Sequence, residues 1–356
     1  MSGKILVLAV AALLAAGCAG SPEVPYTIAH RGGHIDNLIP ENSVAAVRMA
    51  ARYGYRAIEC DVHYTADSIL VCMHDQRINR VMRLADGYEE IPGDVRYRDL
   101  CYDELRSKYV LASSDPSLRT PIASYEEILA ACRECGITAL LHTNEPQAYK
   151  RACEVLGPTG FIAFDVDYEA LSHARDYSSD CLILWDPDRA GVEEVLAKLE
   201  ALGGPCGISS MKKDLLTADY VRPIREAGYR VQASIFSMPR DIEAAENGCD
   251  IILSDFCLLH EGKCPEGCKT LSGRKLAEGE SICWEWDETE CGSIEMALEF
   301  TGEVEIQVCD DISYSLSGED RTLLDGWRFY KKAPSFTLTA KKATTIKKLS
   351  VRRFSL

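Results

Sequence analysis

Short apolar runs alternate with amphipathic stretches from Tyr26 to about residue 260. Eight of these runs have the length and apolar content of buried strands: Thr27–His30, Ala57–Val62, Ala139–His142, Phe161–Phe164, Cys181–Leu184, Gly207–Ser209, Val231–Ser234 and Ile251–Ser254. Seven stretches between them have helical periodicity: Ser43–Tyr53, Tyr125–Cys135, Pro146–Leu156, Tyr168–Tyr177, Val192–Leu202, Leu216–Ala227 and Pro239–Asn247. The pattern predicts an α/β fold with a TIM-type (β/α)8 barrel over residues 26–260. An open doubly wound sheet is the alternative, and the strand count favours the barrel.

The pattern breaks after the second strand, because the segment that follows is too short for a helix. Alternating residues on both sides of Asp67-Ser68 predict a hairpin with a two-residue turn there. This register places Asp61 opposite His74 and returns His74 to the mouth of the barrel. Because side chains alternate along a strand, Glu59, Asp61 and His63 share one face.

The character of the chain changes after residue 260. Residues 261–275 begin with a glycine- and proline-containing segment that is typical of a linker, and residues 276–356 contain short β-prone runs separated by turn residues. These runs predict a smaller all-β sandwich domain. Trp284, Trp286, Trp327 and Tyr330 either form a surface that contacts glycan or lipid or, as small β domains favour, fill the core.

The overall charge argues against one class of partner. The 356 residues carry a formal net charge of −16, and the sequence pI is about 5.0. A nucleic-acid-binding protein needs a basic surface for phosphate contacts, so we expect no nucleic-acid partner. An anionic substrate would need a local cationic device, such as a metal ion or an arginine, at its binding site.

The first 25 residues have the pattern of an export signal. A basic start at Lys4 and the apolar run Ile5–Ala16 lead into Cys18, and the run is too short to span a bilayer. Residues 14–18 resemble a bacterial lipobox, which predicts a lipoprotein signal peptide over residues 1–18, lipidation of Cys18 and a tether over residues 19–25. The protein would then be exported and anchored to a membrane, on its periplasmic or cell-surface side. An ordinary secretory signal with an incidental Cys18 is the alternative.

The 16 cysteines do not define a metal site. Cys264 and Cys268 flank a turn, but zinc would require two further ligands at a comparable spacing. The spacing does not define disulfide pairs, and buried thiols with one or two disulfides are the simpler interpretation.

The densest chemistry lies between Thr27 and Asp75. Glu59 and Asp61 sit at strand spacing in an otherwise apolar strand, where bare charges are costly unless a cation compensates them. His30 and Arg31 are followed at once by two glycines, which let the backbone approach a ligand. Such residues at strand ends favour a functional site over isolated structural roles.

Four motifs, in this order and spacing, resemble the glycerophosphodiester phosphodiesterase family: His30-Arg31-Gly32, Pro40-Glu41-Asn42, Glu59-Cys60-Asp61-Val62 and His74-Asp75. A closing Ile252-Leu253-Ser254-Asp255 agrees with them. The resemblance covers about Tyr26 to Leu259 and does not include the C-terminal domain. It implies a TIM-type barrel that cleaves a small phosphodiester substrate with the help of a divalent metal, Ca²⁺ or Mg²⁺.

The resemblance also implies roles for individual residues. His30 and His74 correspond to the acid–base pair and Arg31 to the residue that holds the substrate phosphate. Glu59 and Asp61 correspond to metal ligands, and Glu41 to a carboxylate that binds the metal directly or supports a residue that does. A neighbouring glycerol hydroxyl would attack the phosphorus and form a cyclic phosphate, or water would attack directly, and the residues leave both routes open.

The end of the third strand departs from the family pattern. Where the family has a Glu and a Lys two residues apart, this chain has His142 at the third metal-ligand position and Asn144 at the basic one. An imidazole ligand favours ions softer than Ca²⁺ or Mg²⁺. His63, on the same face as Asp61, is another potential ligand at the barrel mouth. His142 and His63 could instead only line the site, and Glu145 could replace the missing carboxylate. Ser234 stands where the family has a tryptophan, which predicts a smaller side chain on the pocket floor.

These observations favour one function and leave two alternatives. The favoured function is metal-assisted hydrolysis of glycerophosphodiesters to an alcohol and glycerol phosphate. One alternative is a phosphodiesterase for a different headgroup or for a lysophospholipid. The other is a catalytically inactive lipoprotein that binds a ligand, which the loss of the Glu and Lys would suggest.

Overall fold

The computed structural model describes residues 26–35, 38–185, 190–212, 214–234, 238–255, 265–309 and 312–355. The strands, in chain order, are β1 (Tyr26–Ala29), β2 (Ala57–Tyr64), β3 (Leu70–Cys72), β4 (Met82–Leu84), β5 (Tyr109–Leu111), β6 (Thr138–His142), β7 (Phe161–Asp165), β8 (Leu182–Trp185), β9 (Cys206–Ser210), β10 (Arg230–Ser234), β11 (Ile251–Ser254), β12 (Gly267–Leu276), β13 (Ser281–Glu285), β14 (Thr289–Val308), β15 (Ile312–Lys332), β16 (Ser335–Ala340) and β17 (Thr344–Ser355). The helices are α1 (Val44–Tyr53), α2 (Tyr102–Lys108), α3 (Tyr125–Cys135), α4 (Pro146–Leu156), α5 (Tyr168–Ala174), α6 (Val192–Leu202), α7 (Ala218–Glu226) and α8 (Met238–Glu246). Short 3₁₀ turns cover His30–Gly32, Tyr97–Asp99 and Pro116–Leu118.

Eight parallel strands close into a barrel. Their order is β1, β11, β10, β9, β8, β7, β6 and β2, and β2 pairs with β1 to complete the circle. All eight predicted strands are present, with ends that differ from the prediction by at most two residues. The predicted TIM-type barrel is therefore confirmed, and the open sheet is excluded by the β1–β2 pairing.

Strand alternation separates the two sides of the barrel wall. The even-numbered side chains of β2, such as Ile58, pack outwards with the helices in one large core. Ala57 packs into a smaller core inside the barrel, with residues such as Leu140 and Leu253. Glu59 continues this inward row, so the period of two brings the polar side chains to the carboxyl end of the barrel.

The helix before β6 has well-defined ends. The side chain of Ser124 accepts a hydrogen bond from Glu127 N at the start of α3, while the Glu127 carboxylate accepts one from Ser124 N. The helix ends at Gly136, whose φ of 64° lies in the left-handed region. An N-cap of this type contributes about 1 kcal/mol. These caps define where β6 begins, and therefore where His142 at its end lies.

The hairpin after β2 forms, but the predicted register is wrong by one residue. Val62 pairs with Cys72, and Met73 N donates to Asp61 O at 2.8 Å, so Met73 rather than His74 lies opposite Asp61. The turn contains one more residue than predicted because Ser68 adopts a φ of 62°, which makes a three-residue loop. His74 still reaches the barrel mouth, one position beyond the paired strand.

The C-terminal strands form an antiparallel sheet around their own hydrophobic core. The long strand β14 pairs with β15 along its length, with β17 through its first half and with β16 through its second half. It changes partners around Gly302, whose φ is 127°. An all-β C-terminal domain is thus confirmed, as a single continuous sheet in the described residues.

The predicted linker over residues 261–275 is too long. Residues 267–276 form strand β12, which pairs with β17. This strand is rich in lysine, serine, threonine and glycine and largely exposed, because it lies at the edge of the sheet, so it lacks the apolar alternation that marks a strand. Trp327 and Tyr330 are buried and Trp284 and Trp286 pack against the core at its margin, which favours the core role for these aromatics.

The predicted signal peptide, tether and lipidation site at Cys18 lie outside the described residues. No helix in the described part of the chain is long and apolar enough to cross a membrane. The twelve cysteines whose state the structure gives all have free thiols.

Candidate active site

A cavity of about 500 Å³ opens at the carboxyl end of the barrel. Eight of its lining residues carry groups that bind metals, hold anions or move protons: His30, Arg31, His34, Glu59, Asp61, His74, His142 and Asp255. Five different segments of the chain supply these residues. Because the carboxyl ends of parallel strands meet at this face, one site collects side chains that are distant in sequence.

Glu59, Asp61 and His142 form the most compact cluster of this cavity. One potential ligand atom from each lies within 4.8 Å of the others. Asp61 and His142 are register partners on neighbouring strands, and His142 Nδ1 lies 3.2 Å from Asp61 Oδ1 and 3.8 Å from Glu59 Oε1. Both carboxylates are at least 97% buried, with exposed fractions of 2% and 3%. The third position predicted for a metal ligand is therefore beside the first two.

The two acidic groups are electrostatically coupled. Burial raises the pKa of the Glu59 carboxyl well above its usual range, and the charge of Asp61 raises it further. Burial alone would also raise the pKa of Asp61, but the hydrogen bond and charge of His142 outweigh it and hold that pKa below its usual value. Asn42 Nδ2 also donates to Asp61 Oδ2 at 3.2 Å. The pair thus lacks a full compensating charge from the protein.

The cluster fits a divalent cation. Two ligands of one ion, each about 2.0–2.4 Å from it, lie about 3–4 Å apart. The distances from His142 Nδ1 to Glu59 Oε1 and Asp61 Oδ1, 3.8 and 3.2 Å, fall in this range. Two carboxylates supply the charge that a cation requires, and the imidazole supplies a nitrogen donor. Glu59, Asp61 and His142 therefore form a possible metal-binding site.

A strained turn presents the first motif to the cavity. Arg31 has a φ of 48°, in the left-handed region that non-glycine residues rarely occupy, and its backbone N–H donates to Glu59 Oε2 at 2.9 Å. The following Gly32 and Gly33 also have positive φ values, of 81° and 84°. Strain of this kind persists where surrounding contacts fix it, and it is common at active sites.

His30 is held by a carboxylate that the sequence patterns did not assign a role. His30 Nδ1 lies 2.9 Å from Asp255 Oδ1, and the His30 side chain is 12% exposed. His34 Nδ1 lies 3.7 Å from the same oxygen. Burial alone would raise the pKa of Asp255, but its hydrogen bond with His30 and the nearby positive groups hold it below its usual value. Asp255 follows the last barrel strand, so the strand-end rule could have identified it.

A second network connects Arg31 to His74. Glu41 accepts from Arg31 Nη1 at 3.2 Å and from both terminal nitrogens of Arg80 at 2.9 and 2.8 Å. Arg80 Nε also donates to Asp75 Oδ2 at 2.6 Å, and Asp75 Oδ1 lies 2.8 Å from His74 Nδ1. The Arg80 guanidinium holds the pKa of Asp75 at about 2. Arg80 thus fixes two carboxylates: Glu41, which contacts the predicted phosphate-binding Arg31, and Asp75, which contacts the predicted catalytic His74.

Arg31 offers a positive charge to a ligand of the cavity. Its side chain lines the cavity and is 18% exposed. Its Nε is buried without a hydrogen-bond partner within the described ranges, so this atom is not the one that meets a ligand. A guanidinium at the cavity wall is compatible with the phosphate-binding role of Arg31, which stays a prediction.

Three other predicted residues lie outside the metal cluster. Glu41 contacts two arginines instead, and we infer that it orients Arg31. His63 stacks against Tyr97, with ring centroids 5.8 Å apart, and does not line the cavity. Asn144 is exposed at the end of β6. Of the two residues that depart from the family pattern at the end of β6, His142 lines the cavity and Asn144 does not.

The remaining wall of the cavity is less polar. Phe164, Met211 and Leu253 line it, and the His142 and Phe164 ring centroids are 5.1 Å apart. Ser234 also lines this side, and its hydroxyl lies 2.7 Å from that of Ser209. The cavity therefore offers uncharged as well as charged groups, which suits a substrate with one ionic and one weakly polar part.

Comparisons with known proteins agree on one family. Residues 30–180 match the sequence profile of the Glycerophosphoryl diester phosphodiesterase family. The chain is 33% identical to Glycerophosphodiester phosphodiesterase 1 of Bos taurus over 244 residues, which cover 58% of this chain and 70% of that protein. It is 27% identical to the Mus musculus protein of the same name over 242 residues, covering 57% and 69% of the two chains.

Solved structures share the barrel. An Oleispira antarctica phosphodiesterase in complex with the product sn-glycerol-3-phosphate superposes with a TM-score of 0.51 at 22% identity, covering 65% of this chain and 93% of that one. A glycerophosphodiester phosphodiesterase from Agrobacterium tumefaciens gives a TM-score of 0.52 at 16% identity, covering 65% and 96%. At these identities the similarity establishes the fold.

Proposed function

Because the chain belongs to the glycerophosphodiester phosphodiesterase family, we propose that it hydrolyses glycerophosphodiesters to glycerol phosphate and an alcohol, with His30 and His74 as its acid–base pair. The observation that carries this proposal is the shared cavity: two histidines, an arginine and the acidic cluster all line it. Each group has a task in cleaving a phosphodiester. The relatives named for this activity support the substrate class.

Each histidine is oriented by a carboxylate at its Nδ1. Because Nδ1 shares its proton with the carboxylate, the other ring nitrogen, Nε2, is the atom that exchanges a proton with the substrate. His30 is 12% exposed and His74 is 40% exposed, so we assign His30 to the enclosed glycerol side and His74 to the open side, where the headgroup leaves. His30 then accepts the proton of the attacking hydroxyl, while His74 donates one to the departing alkoxide.

The bonds and protons balance in this scheme. The attacking oxygen, from the glycerol or from water, forms a bond to phosphorus as the bond between phosphorus and the headgroup oxygen breaks. Attack by water gives glycerol phosphate directly. Attack by glycerol gives a cyclic phosphate, and water then opens that ring as one P–O bond of the ring breaks, with the two histidines exchanging the roles of acid and base. Arg31, which lines the cavity, donates hydrogen bonds to the non-bridging phosphoryl oxygens. Detection of a cyclic phosphate would distinguish attack by glycerol from attack by water.

Glu59, Asp61 and His142 would hold the metal. When bound, it neutralises negative charge on the phosphoryl oxygens. The imidazole in place of a third carboxylate makes the site less negative by one charge, which supports Mn²⁺ or Zn²⁺ over Ca²⁺ as the preferred ion. The family resemblance supports Ca²⁺ or Mg²⁺, and a comparison of the four ions distinguishes the two expectations.

Kinetics of two histidine variants test the proposed function. The purified chain should release glycerol phosphate from glycerophosphocholine in a metal-dependent reaction. His30→Ala and His74→Ala should each lower kcat by roughly 10²–10⁴-fold, the usual contribution of acid–base catalysis. His173→Ala, an exposed histidine on α5, is the control and should retain activity. Full activity in either cavity variant would exclude the proposed mechanism.

Membrane anchoring is a separate proposal, supported by the lipobox pattern before Cys18. In this proposal the chain is an exported lipoprotein that acts outside the cytoplasmic compartment. Incorporation of a labelled fatty acid in wild type, and its loss in Cys18→Ser, is the expected result. Labelling that persists in Cys18→Ser would refute lipidation at this residue.

A further inference from the structure

One side chain of the C-terminal domain contacts the backbone of two segments that line the cavity. Arg328, on β15, donates through Nη1 to Gly33 O at 3.0 Å and through Nη2 to His34 O at 3.2 Å. The same Nη2 donates to the backbone carbonyl of Asp255. These three carbonyls belong to the two segments that supply His30 and its carboxylate partner.

We propose that Arg328 is a positioning residue: by joining the loop after β1 to the loop after β11, it holds His30 and Asp255 in their catalytic arrangement. The C-terminal domain would then be part of the active-site scaffold as well as an accessory unit. This inference rests on the proposed function for its effect on catalysis, whereas its effect on the loops does not depend on that function.

The barrel surface around the guanidinium is shaped to receive it. Its Cζ lies 5.4 Å from the ring centroid of Tyr53 and 5.3 Å from that of Tyr55, and both tyrosines are buried. Aromatic rings at this distance attract a cation through their π-systems. The Tyr53 hydroxyl also donates to Phe329 O at 3.1 Å, next to Arg328 in the chain. The contact is therefore a formed interface and not a single long side chain on a surface.

The backbone conformation of Gly33 makes the approach feasible. Gly33 has a φ of 84°, and a Cβ built there would lie 3.2 Å from Arg328 Nη1 and 3.0 Å from Ala50 Cβ. Any side chain at this position would thus crowd both partners. The glycine pair noted in the sequence therefore serves two purposes, the turn that presents Arg31 and the close approach of Arg328.

The planar guanidinium suits this task better than an ammonium. Its donors diverge in a fixed fork and can reach carbonyls on two segments at once, while Lys presents a single point of charge. A guanidinium fixed by several partners also holds those partners relative to one another. Losing it should loosen the geometry of His30 and leave the metal ligands, on β2 and β6, in place.

Kinetics and hydrogen exchange of three full-length variants test the proposal. Arg328→Met removes the donors, Arg328→Lys keeps the charge, and Tyr330→Phe is the matched control. Tyr330 lies on the same strand and its hydroxyl donates to Asp115 of the barrel at 3.1 Å, so the control removes a contact between the domains away from the catalytic loops.

The expected result is a selective effect. Arg328→Met should lower kcat about 10- to 100-fold, as loss of supporting contacts around catalytic groups does, with KM changed less than about threefold. Arg328→Lys should recover part of the loss, and it keeps the test decisive if the Met variant does not fold. Amide exchange over residues 30–34 should rise at least about tenfold in Arg328→Met and remain at the wild-type rate in Tyr330→Phe.

Each contrary outcome is distinguishable. A kcat within about twofold of wild type in Arg328→Met would overturn the positioning role, and an equal loss in Tyr330→Phe would assign the effect to domain docking in general. If wild type had no phosphodiesterase activity, the proposed function would fail, and the exchange rates alone would decide whether Arg328 holds the loops. Unchanged exchange would then overturn the inference.

Discussion

The acidic cluster predicts a large stabilisation by the correct metal ion. Ligand atoms of Glu59 and Asp61 lie no more than 4.8 Å apart. At that separation two negative charges repel by about 3.5 kcal/mol if the effective dielectric constant is about 20. Burial first, and then the charge of Asp61, raises the pKa of Glu59 well above its usual range, so without a metal the cluster favours a proton on this carboxyl. Metal binding should therefore displace that proton and stabilise the folded barrel.

The size of the effect follows from linkage. A ligand present at 1,000 times its Kd stabilises the native state by about 4 kcal/mol. For a barrel of this size, each kcal/mol raises Tm by roughly 2–4 °C, so saturation should raise it by roughly 8–16 °C. Loss of one ligand in His142→Ala should weaken binding by at least about 10- to 100-fold, which removes about 1.4–2.7 kcal/mol of this stabilisation at the same metal concentration.

Calorimetry of chelator-treated protein is the assay, with Mg²⁺, Ca²⁺, Mn²⁺ and Zn²⁺ added separately. Glu59→Gln mimics the protonated carboxyl, so the metal-free variant should unfold at or above the wild-type Tm and lose most of the metal-induced rise. Glu145→Gln changes a nearby carboxylate outside the cluster and should keep the full rise. An equal rise in wild type, His142→Ala and Glu59→Gln would refute the ligand set, and a rise lost in Glu145→Gln would replace His142 by Glu145.

Three further changes test other parts of the structure. Arg80→Met should lower kcat/KM about tenfold in steady-state kinetics because Glu41 and Asp75 lose their common partner. Arg106→Met, the control, breaks an exposed ion pair with Glu127 and should leave kcat/KM unchanged. An equal loss of kcat/KM in both variants would argue against a specific role of the Arg80 network. Burial raises the pKa of Cys249 to about 12, so its thiolate fraction is only about 10⁻⁴ at pH 8 and about 10⁻³ at pH 9. Thiol reagents should therefore modify Cys249 only after unfolding. Rapid modification of this thiol in the native protein at pH 8 would contradict its burial. Gly33→Ala should lower the free energy of unfolding, measured by urea denaturation, by more than Gly93→Ala, because both positions have positive φ but only Gly33 is crowded; equal losses would mean that packing at Gly33 is unimportant.

The barrel could be predicted because its information is local. Each strand is a short apolar run, so length and periodicity were enough to place all eight within two residues. The position of His142 beside Asp61 also follows from adjacent parallel strands that end at one face. What the pattern lacked was the hairpin register, because Ser68 adopts its positive φ without the glycine that usually signals such a turn.

Contacts between segments that are distant in sequence could not be predicted from the pattern of residues. Arg328 lies 295 residues from Gly33, on a strand of the other domain, and no periodicity links the two. Arg80 lies 39 residues from Glu41, in a segment without barrel strands or helices. Asp255 was recognisable as a strand-end acid, but its partnership with His30 depends on closure of the barrel between β1 and β11. Residues that orient catalytic groups therefore required the tertiary structure.

The two histidines differ in what supports them, and this difference makes their roles separable. His30 and His74 each have a carboxylate within 2.9 Å of Nδ1, so both are oriented in the same way. The carboxylate beside His74 is fixed by an arginine of the barrel itself, whereas the segment carrying Asp255 is held by Arg328 from the C-terminal domain. A loosened C-terminal domain should consequently impair the step that depends on His30 and spare protonation of the leaving group by His74. Substrates with a good leaving group, which do not need that protonation, should therefore remain as sensitive to Arg328→Met as natural diesters, while losing their sensitivity to His74→Ala.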